Sequence, residues 1–153
     1  MKQLMWLVLF LLINFSALGI GTWLMNSGPT SNWYLTLNKA PWTPPGWVFG
    51  VAWTTIMICF SIYLSYLMKE KATDMFWLLF IVQFVLNVSW NFVFFNQHAI
   101  GFGLIVIILL TVLVGYYLFN FRSEMKLKSL LIAPYFVWLL IATSLNAYTY
   151  LKN

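Results

Sequence analysis

Tryptophan and proline are concentrated in one short stretch of this chain, WYLTLNKAPWTPPGWVFGVAW, which covers residues 33–53. It contains four tryptophans and three prolines: Trp33, Trp42, Trp47, Trp53, Pro41, Pro44 and Pro45. An indole ring combines a large apolar surface with one N–H donor, so it suits the wall of a cavity or a membrane–water interface. Each proline lacks an amide N–H and disfavours helix at the residue before it. Residues 40–46 are therefore predicted to form a stiff, non-helical turn.

A second group of polar side chains lies inside an otherwise apolar run. Gln83, Asn87 and Asn91 follow one another at four-residue intervals, and Trp90 lies on the same helical face. Because an amide that faces lipid is costly, this face is expected to point into a helical bundle. The amides either bond to neighbouring helices as structural contacts or line a pocket and orient a ligand, and the spacing fits both.

Two further rows at four-residue intervals lie in other apolar runs: Phe49, Trp53 and Met57, and then Trp138, Ala142 and Asn146. The second row combines an aromatic, a small and an amide side chain, which leaves space above Ala142. The first row is typical of packing, although it also fits the wall of a pocket. Pro134 is expected to bend the last helix or to begin it.

The chain offers little conventional catalytic chemistry. Its three acidic residues, Glu70, Asp74 and Glu124, fall in predicted loops, so no apolar run holds a carboxylate pair or a proton relay. The single cysteine, Cys59, excludes an intrachain disulfide and a cysteine-based metal site. His98 is a lone loop histidine, for which a surface role is favoured over haem ligation. Any reaction therefore depends on aromatic side chains or on the ligand itself.

Apolar segments of membrane-spanning length position these residues. Hydrophobic residues make up 63% of the chain and charged residues only 7%, whereas soluble domains contain about 25% charged residues. The runs carry no charged side chain, which favours helices over a β-barrel. The sequence predicts an all-α membrane protein with a single domain over residues 1–153. Its five transmembrane helices are predicted at residues 4–25, 47–68, 75–95, 101–121 and 129–151. The first run is interpreted as a span and not as a signal peptide, because it stays apolar to Met25.

Basic residues flank the predicted spans unevenly. The N-terminus, second loop and fourth loop carry six of them, while the first loop, third loop and C-terminus carry two. The positive-inside rule then predicts a bacterial cytoplasmic (inner) membrane protein with its N-terminus inside and its first loop outside. All eight lie at the ends of apolar runs, so the net charge of +5 does not indicate nucleic-acid binding. The first loop, residues 26–46, is the only long one and is predicted to act as a lid.

Three blocks of the sequence together resemble the translocator protein family, whose members are also called tryptophan-rich sensory proteins or peripheral benzodiazepine receptors (TspO/MBR). The blocks are the tryptophan-rich stretch at residues 33–53, LNVSWNFVFF in the third predicted span and APYFVWLLIATSLNAYTYL in the fifth. The chain length and the layout of the spans resemble those of a bacterial member. The fourth span adds little.

The resemblance implies a bundle of five transmembrane helices, commonly a homodimer, with one lipophilic pocket per subunit that the first loop closes. It implies binding of porphyrins such as protoporphyrin IX, of synthetic isoquinoline carboxamides at the benzodiazepine site and, in animal members, of cholesterol. No cofactor is required. At matching positions, the implied pocket residues are Trp33, Pro41, Trp42, Phe49, Trp53, Asn87, Trp90, Asn91, Trp138 and Ala142. The family's sterol motif corresponds to Leu145, Tyr148 and Lys152, to which no role is assigned.

Two functions of different classes follow. The first is a membrane receptor or sensor that binds porphyrins and has the lipid bilayer as its other partner. The alternative is a passive transporter, because the ion pairs and broken-helix repeats of coupled transporters are missing. A purely structural partner is disfavoured by the tryptophan cluster. A further hypothesis is light-dependent breakdown of bound protoporphyrin, in which Trp53 and Trp138 would be the catalytic side chains. Asn87 would then hold the polar edge of the ligand.

Overall fold

The computed structural model describes residues 1–153 and contains helices and turns but no β-strands. Its α-helices are α1 (Lys2–Leu24), α2 (Asn32–Thr36), α3 (Gly46–Glu70), α4 (Asp74–Asn91), α5 (Ile100–Asn120), α6 (Arg122–Met125) and α7 (Ala133–Lys152). Short 3₁₀ turns cover Gly28–Thr30 and Lys126–Leu131, and a π-helical turn at Phe92–Asn96 continues α4. The predicted all-helical class is confirmed.

Four helical segments are long and apolar enough to cross a membrane: Lys2–Thr30, Gly46–Glu70, Asp74–Asn96 and Ile100–Asn120. A fifth candidate span exists only if Arg122–Leu131 and Ala133–Lys152 are counted together, and these two segments are bent by 70°. The continuous fifth span predicted from residue 129 is therefore interrupted. Pro134 lies in the first turn of α7, where its missing N–H costs no helical hydrogen bond, so the helix begins beside it.

The long helices form a closed ring. α1 packs against α3 and α4, α4 packs against α5, α5 against α7, and α7 against α3. One half of the interior is filled by large side chains, among them Phe60, Tyr63, Tyr117 and Tyr135, which are all fully or almost fully buried. The Tyr63 hydroxyl donates to the Tyr117 carbonyl at 3.0 Å. This half of the bundle is therefore packed closed at its centre.

Two hydrogen bonds between helices show how polar side chains are satisfied in the apolar interior. Asn14 Nδ2 on α1 donates to Ser61 Oγ on α3 at 2.8 Å. Gln83 Nε2 on α4 donates to the Tyr135 hydroxyl on α7 at 2.9 Å. A polar group in hydrocarbon has no water partner, so such bonds fix how the helices pair. Of the two roles considered for the α4 amides, Gln83 therefore has the structural one, because it bonds to a neighbouring helix.

The packed end of the bundle carries most of the basic residues. Lys71 Nζ lies 3.1 Å from Glu124 Oε1, which joins the α3–α4 loop to α6. The hydrogen bond from Lys71 holds the pKa of the Glu124 carboxyl below its usual value. Lys128 Nζ lies over the Tyr66 ring at 4.1 Å. The opposite end, which holds the first loop, carries only Lys39 and Lys152 as basic side chains.

Candidate ligand-binding site

A cavity of about 360 Å³ lies between α3, α4, α7 and the first loop. Its wall consists mainly of aromatic and aliphatic side chains, with a small number of amides and hydroxyls. Ligand pockets for small lipophilic molecules typically have this composition, and their volumes run from about 300 to about 1,000 Å³. No group of three or more histidine, cysteine, aspartate or glutamate side chains could hold a metal ion.

Five of the ten residues predicted for the pocket line this cavity. They come from three helices: Phe49, Trp53, Trp90, Asn91 and Ala142. The four-residue rows of the sequence explain why they meet, because each row lies on the face that its helix turns towards the centre of the ring. Whether these residues contact a ligand stays a prediction.

The other five predicted residues do not line the cavity. Trp42 is 54% exposed, and its Nε1 donates to Ser144 Oγ at 3.2 Å, so it attaches the outside of the loop to α7. Pro41 is exposed in the turn before α3. Asn87 is buried and makes no side-chain hydrogen bond.

Trp33 and Trp138 also lie outside the wall. Trp33 stacks on His98 with ring centroids 4.0 Å apart and an angle of 14° between the planes. Trp138 is buried and packs edge-to-face on Phe49 at 5.3 Å, and its Nε1 has no hydrogen-bond partner. Of the two indoles considered as catalytic side chains, only Trp53 lines the cavity.

Asn146 connects three helices at the edge of the cavity. Its Oδ1 accepts a hydrogen bond from Trp90 Nε1 on α4 at 3.1 Å, and its Nδ2 donates to the Ile100 carbonyl on α5 at 3.0 Å. A Cβ at Gly103 would lie only 3.3 Å from Asn146 Oδ1, so a residue without a side chain suits the close approach. Each end of this amide makes one hydrogen bond, so Asn146 positions Trp90 relative to α5 and α7.

Trp53 and Asn91, by contrast, present polar groups that are free or weakly bonded. Trp53 Nε1 makes no hydrogen bond within the protein, although the residue lines the cavity. Asn91 Nδ2 has only a long contact of 3.5 Å with the Asn87 carbonyl. A Cβ at Gly21 would lie 2.7 Å from that Nδ2, so the absence of a side chain on α1 leaves room for the Asn91 amide. One N–H donor and one amide are therefore available to orient a ligand.

The first loop forms part of the cavity wall and contacts the helices through aromatic side chains. Ser31 Oγ accepts from the Tyr34 amide at 3.2 Å and so caps the N-terminus of α2. Tyr34 packs on Phe95 at 5.3 Å. Burial raises the pKa of the Tyr34 phenol above its usual value. Asn38 and Asn153 exchange hydrogen bonds at 2.9 and 3.3 Å, which join the loop to the end of α7.

The π-helical turn supplies the aromatic surface on which the loop rests. Phe94 stacks on Trp90 at 5.2 Å and meets Trp33 edge-to-face at 5.6 Å. Phe95 lies beside it at 4.9 Å and contacts Tyr34. Turns of this kind often mark functional sites, because the extra residue changes which side chains face inward.

Several lining residues were missed by the sequence analysis. They belong to the first loop, the π-helical turn and α7: Tyr34, Lys39, Pro44, Phe94, Phe95 and Thr149. A π-helical turn leaves no clear pattern in a sequence, so Phe94 and Phe95 carried no positional signal beyond their place beside Trp90. Lys39 did carry a signal in the sequence, because it is the only basic residue of the first loop.

Comparison with known proteins identifies the family of this chain. The family model described as "TspO/MBR family" matches residues 8–151. The chain belongs to the TspO/MBR family. It is 36% identical over 118 residues to Protein CrtK of Rhodobacter capsulatus, covering 74% of each chain. It is 33% identical over 143 residues to the Tryptophan-rich protein TspO of Archaeoglobus fulgidus, covering 90% of each chain.

The similarity extends to animals. The chain is 31% identical over 126 residues to the Translocator protein of Homo sapiens, covering 78% of this chain and 73% of the human one. The resemblance drawn from the three sequence blocks is thereby confirmed, and this TspO/MBR chain is an integral membrane protein. Porphyrin binding, the homodimer and the orientation in an inner membrane stay predictions.

The stack between Trp33 and His98 predicts a measurable contribution to loop closure. His98 has a positive φ of 54°, a conformation that asparagine also tolerates, so His98→Asn removes the ring with little backbone strain. An aromatic contact of this kind contributes about 1 kcal/mol, so amides of residues 31–43 should exchange with deuterium about fivefold faster. Hydrogen exchange read by mass spectrometry measures this rate.

The matched control is Gln97→Asn, because the exposed Gln97 side chain bonds only to Asn96. Equal exchange in the two variants would show that the stack does not hold the loop.

Proposed function

We propose that this TspO/MBR protein is a membrane receptor for flat, lipophilic ring compounds, with protoporphyrin IX as the representative ligand. The observation that supports it most is the cavity beneath the first loop, whose aromatic wall offers free polar groups at Trp53 and Asn91. Large flat rings gain from stacking on aromatic side chains, and a few fixed polar groups set their orientation. An isoquinoline carboxamide fits the same description, because its amide can pair with that of Asn91.

The volume of the cavity has a consequence for ligand entry. At about 360 Å³ it lies near the lower end of the range for ligand pockets. A tetrapyrrole is larger than an ordinary drug-sized ligand, so it enters only if the first loop moves outwards. The loop is attached mainly by aromatic contacts and by surface hydrogen bonds such as the one from Trp42 to Ser144. Such contacts can be exchanged for contacts with the ligand.

Transport through the subunit is the less favoured function. Below the cavity, the centre of the ring is filled by Phe60, Tyr63, Tyr117 and Tyr135, and close-packed side chains of this size leave no passage for a macrocycle. A receptor needs only the opening beneath the loop, which agrees better with a bundle that is packed closed at its other end.

Filling the cavity tests receptor function directly. Ala142 lines the cavity on α7, so Ala142→Leu should occupy part of its volume and weaken protoporphyrin IX binding by about tenfold or more, equivalent to about 1.4 kcal/mol. Quenching of tryptophan fluorescence during a titration of purified protein in detergent measures the dissociation constant.

The control for this substitution is Ala147→Leu, on the same helix but outside the cavity wall. Thermal unfolding of both variants shows whether each is folded. If folded Ala142→Leu and Ala147→Leu bind protoporphyrin IX as tightly as the wild type, the ligand does not use this cavity.

The position of Trp53 supports a second proposed activity, the light-dependent breakdown of bound protoporphyrin. Its indole lines the cavity and meets the Tyr135 ring edge-to-face at 5.9 Å. The illuminated ligand would supply the photochemistry and dissolved dioxygen the oxidising power, while the protein holds an electron-rich indole beside the ring. Trp138 is less suited to this role, because Phe49 packs against it and it does not line the cavity.

Illumination experiments test this activity. We expect the absorbance of protoporphyrin IX to fall faster with the wild type than in empty micelles, and Trp53→Phe to reduce the rate towards that of the micelles. Trp77→Phe, at the packed end beside Trp6 and Phe10, should leave the rate unchanged. A wild-type rate equal to that in micelles, or unaltered by Trp53→Phe at full ligand occupancy, would exclude the activity.

A further inference from the structure

An open groove of about 680 Å³ lies between α5 and the start of α7, and we call it the α5–α7 groove. Phe136 of α7 forms one side of it. The other side is one face of α5, formed by Thr111, Val112, Gly115, Tyr116, Phe119 and Asn120. A Cβ at Gly115 would lie 3.0 Å from the Phe136 ring, so the missing side chain leaves room for this ring beside α5. Val112 and Phe119 are exposed, so in a membrane the groove faces lipid.

The length and polarity of the α5–α7 groove match one leaflet of a membrane. From Thr111 to Asn120 the helix rises about 14 Å, and one leaflet contributes about 15 Å of the hydrocarbon core. The inner end is apolar, because the Thr111 hydroxyl already donates to the Ile107 carbonyl at 2.7 Å. The exposed amide of Asn120 marks the outer end, at the packed end of the bundle. This gradient fits a phospholipid acyl chain beneath its headgroup.

Two cations without a carboxylate partner lie just beyond the outer end of the groove. Arg122 follows Asn120 by two residues, and both Arg122 and Lys126 are exposed. Glu124, the acidic residue between them, forms the one salt bridge of the structure with Lys71. Lys126 has a positive φ of 50°, so a lysine is present where glycine would adopt the backbone conformation without strain. Both cations are therefore available to an anion at the membrane surface.

The segment Arg122–Leu131 lies close to the plane of the membrane. It is bent by 70° from α7, which packs along α5, so it crosses the end of the bundle. Leu127 and Leu130 are exposed in it, beside the exposed basic residues. Exposed leucines next to basic residues are typical of segments in the membrane–water interface. The segment thus holds its cations at the depth of the phospholipid headgroups.

Ordinary exchange of lipid along the surface is the simpler explanation for a groove between two membrane helices. The excess of basic residues at one end also follows from the positive-inside rule alone. Neither explanation requires that a groove as long as one leaflet ends beside two unpaired cations. Basic pockets between transmembrane helices bind anionic headgroups for this electrostatic reason.

We propose that the α5–α7 groove binds one anionic phospholipid, whose acyl chain packs on Phe119 and Phe136 and whose phosphate pairs with Arg122 and Lys126. A zwitterionic phospholipid binds more weakly, because its own ammonium group neutralises the phosphate. The site lies on the lipid-facing side of the bundle, so it does not depend on the proposed receptor function.

Native mass spectrometry of the purified protein in detergent tests this site with phosphatidylglycerol and phosphatidylcholine that carry identical acyl chains. Lipid titrations give a dissociation constant for each, and their ratio, phosphatidylcholine over phosphatidylglycerol, is the anion preference. The wild type should bind one phosphatidylglycerol per chain with an anion preference of about tenfold or more, because each basic residue near an anionic lipid contributes a factor of about five. Arg122→Gln combined with Lys126→Gln should abolish most of this preference.

The matched control is Lys2→Gln combined with Lys69→Gln, which removes the same charge from α1 and α3 at the same end of the bundle. It should retain the anion preference. Val112→Trp should fill the groove and weaken phosphatidylglycerol binding about tenfold, whereas Val85→Trp, at an exposed position on α4, should not. Thermal unfolding shows that each variant is folded.

Equal affinities of the wild type for the two lipids would overturn the inference, as would an equal loss of preference in the two charge variants. Phosphatidylglycerol binding that Val112→Trp leaves unaltered would also overturn it, because the headgroup would then bind without the groove. If the wild type binds neither lipid and Val112→Trp converts a dimer to a monomer, a second copy of the chain covers the groove, and the inference is likewise wrong.

Discussion

The two hydrogen bonds of the Asn146 amide hold together the end of the bundle that carries the first loop. They join Trp90 of α4 and the Ile100 carbonyl at the start of α5 to the last turns of α7. In a hydrocarbon environment these groups have no water to replace a lost partner, so the amide fixes both the spacing of the three helices and the plane of the indole. The small size of Gly103 is what allows the amide to fit. The amide thereby fixes the part of the cavity wall that Trp90 and Asn146 form.

Aromatic side chains have different roles at the two ends of the molecule. At the basic end, the aromatic residues fill the ring of helices, and their hydroxyls bond within it, as Tyr63 does with the Tyr117 carbonyl. At the other end, aromatic residues line an empty volume, and the π-helical turn directs Phe94 and Phe95 towards the first loop. One end is closely packed, while the other contacts the first loop mainly through aromatic rings. A receptor for a large apolar ligand requires both properties.

Much of this arrangement could be predicted from the sequence, because four-residue periodicity is a local property. It placed Phe49, Trp53 and Ala142 on inward faces, and the three motif blocks identified the family. The sequence could not separate the roles of the amides, since Gln83, Asn91 and Asn146 share one residue chemistry and differ only in their partners across the bundle. Pro134 did indicate the break at the start of α7. No sequence signal indicated the π-helical turn, because that turn depends on packing that the local sequence does not record.

The proposed receptor function requires that ligand occupy the space beside Ala142. The most direct measurement uses the single native cysteine: in a Cys59→Ala background, Ala142→Cys places one thiol in the cavity wall, and Ala72→Cys places one in the exposed α3–α4 loop as a control. The rate of labelling by N-ethylmaleimide is measured with increasing protoporphyrin IX. Labelling at position 142 is expected to slow saturably, with the dissociation constant found by fluorescence, while labelling at position 72 is unchanged. Saturable binding that leaves the labelling rate at position 142 unaltered would show that the ligand binds elsewhere.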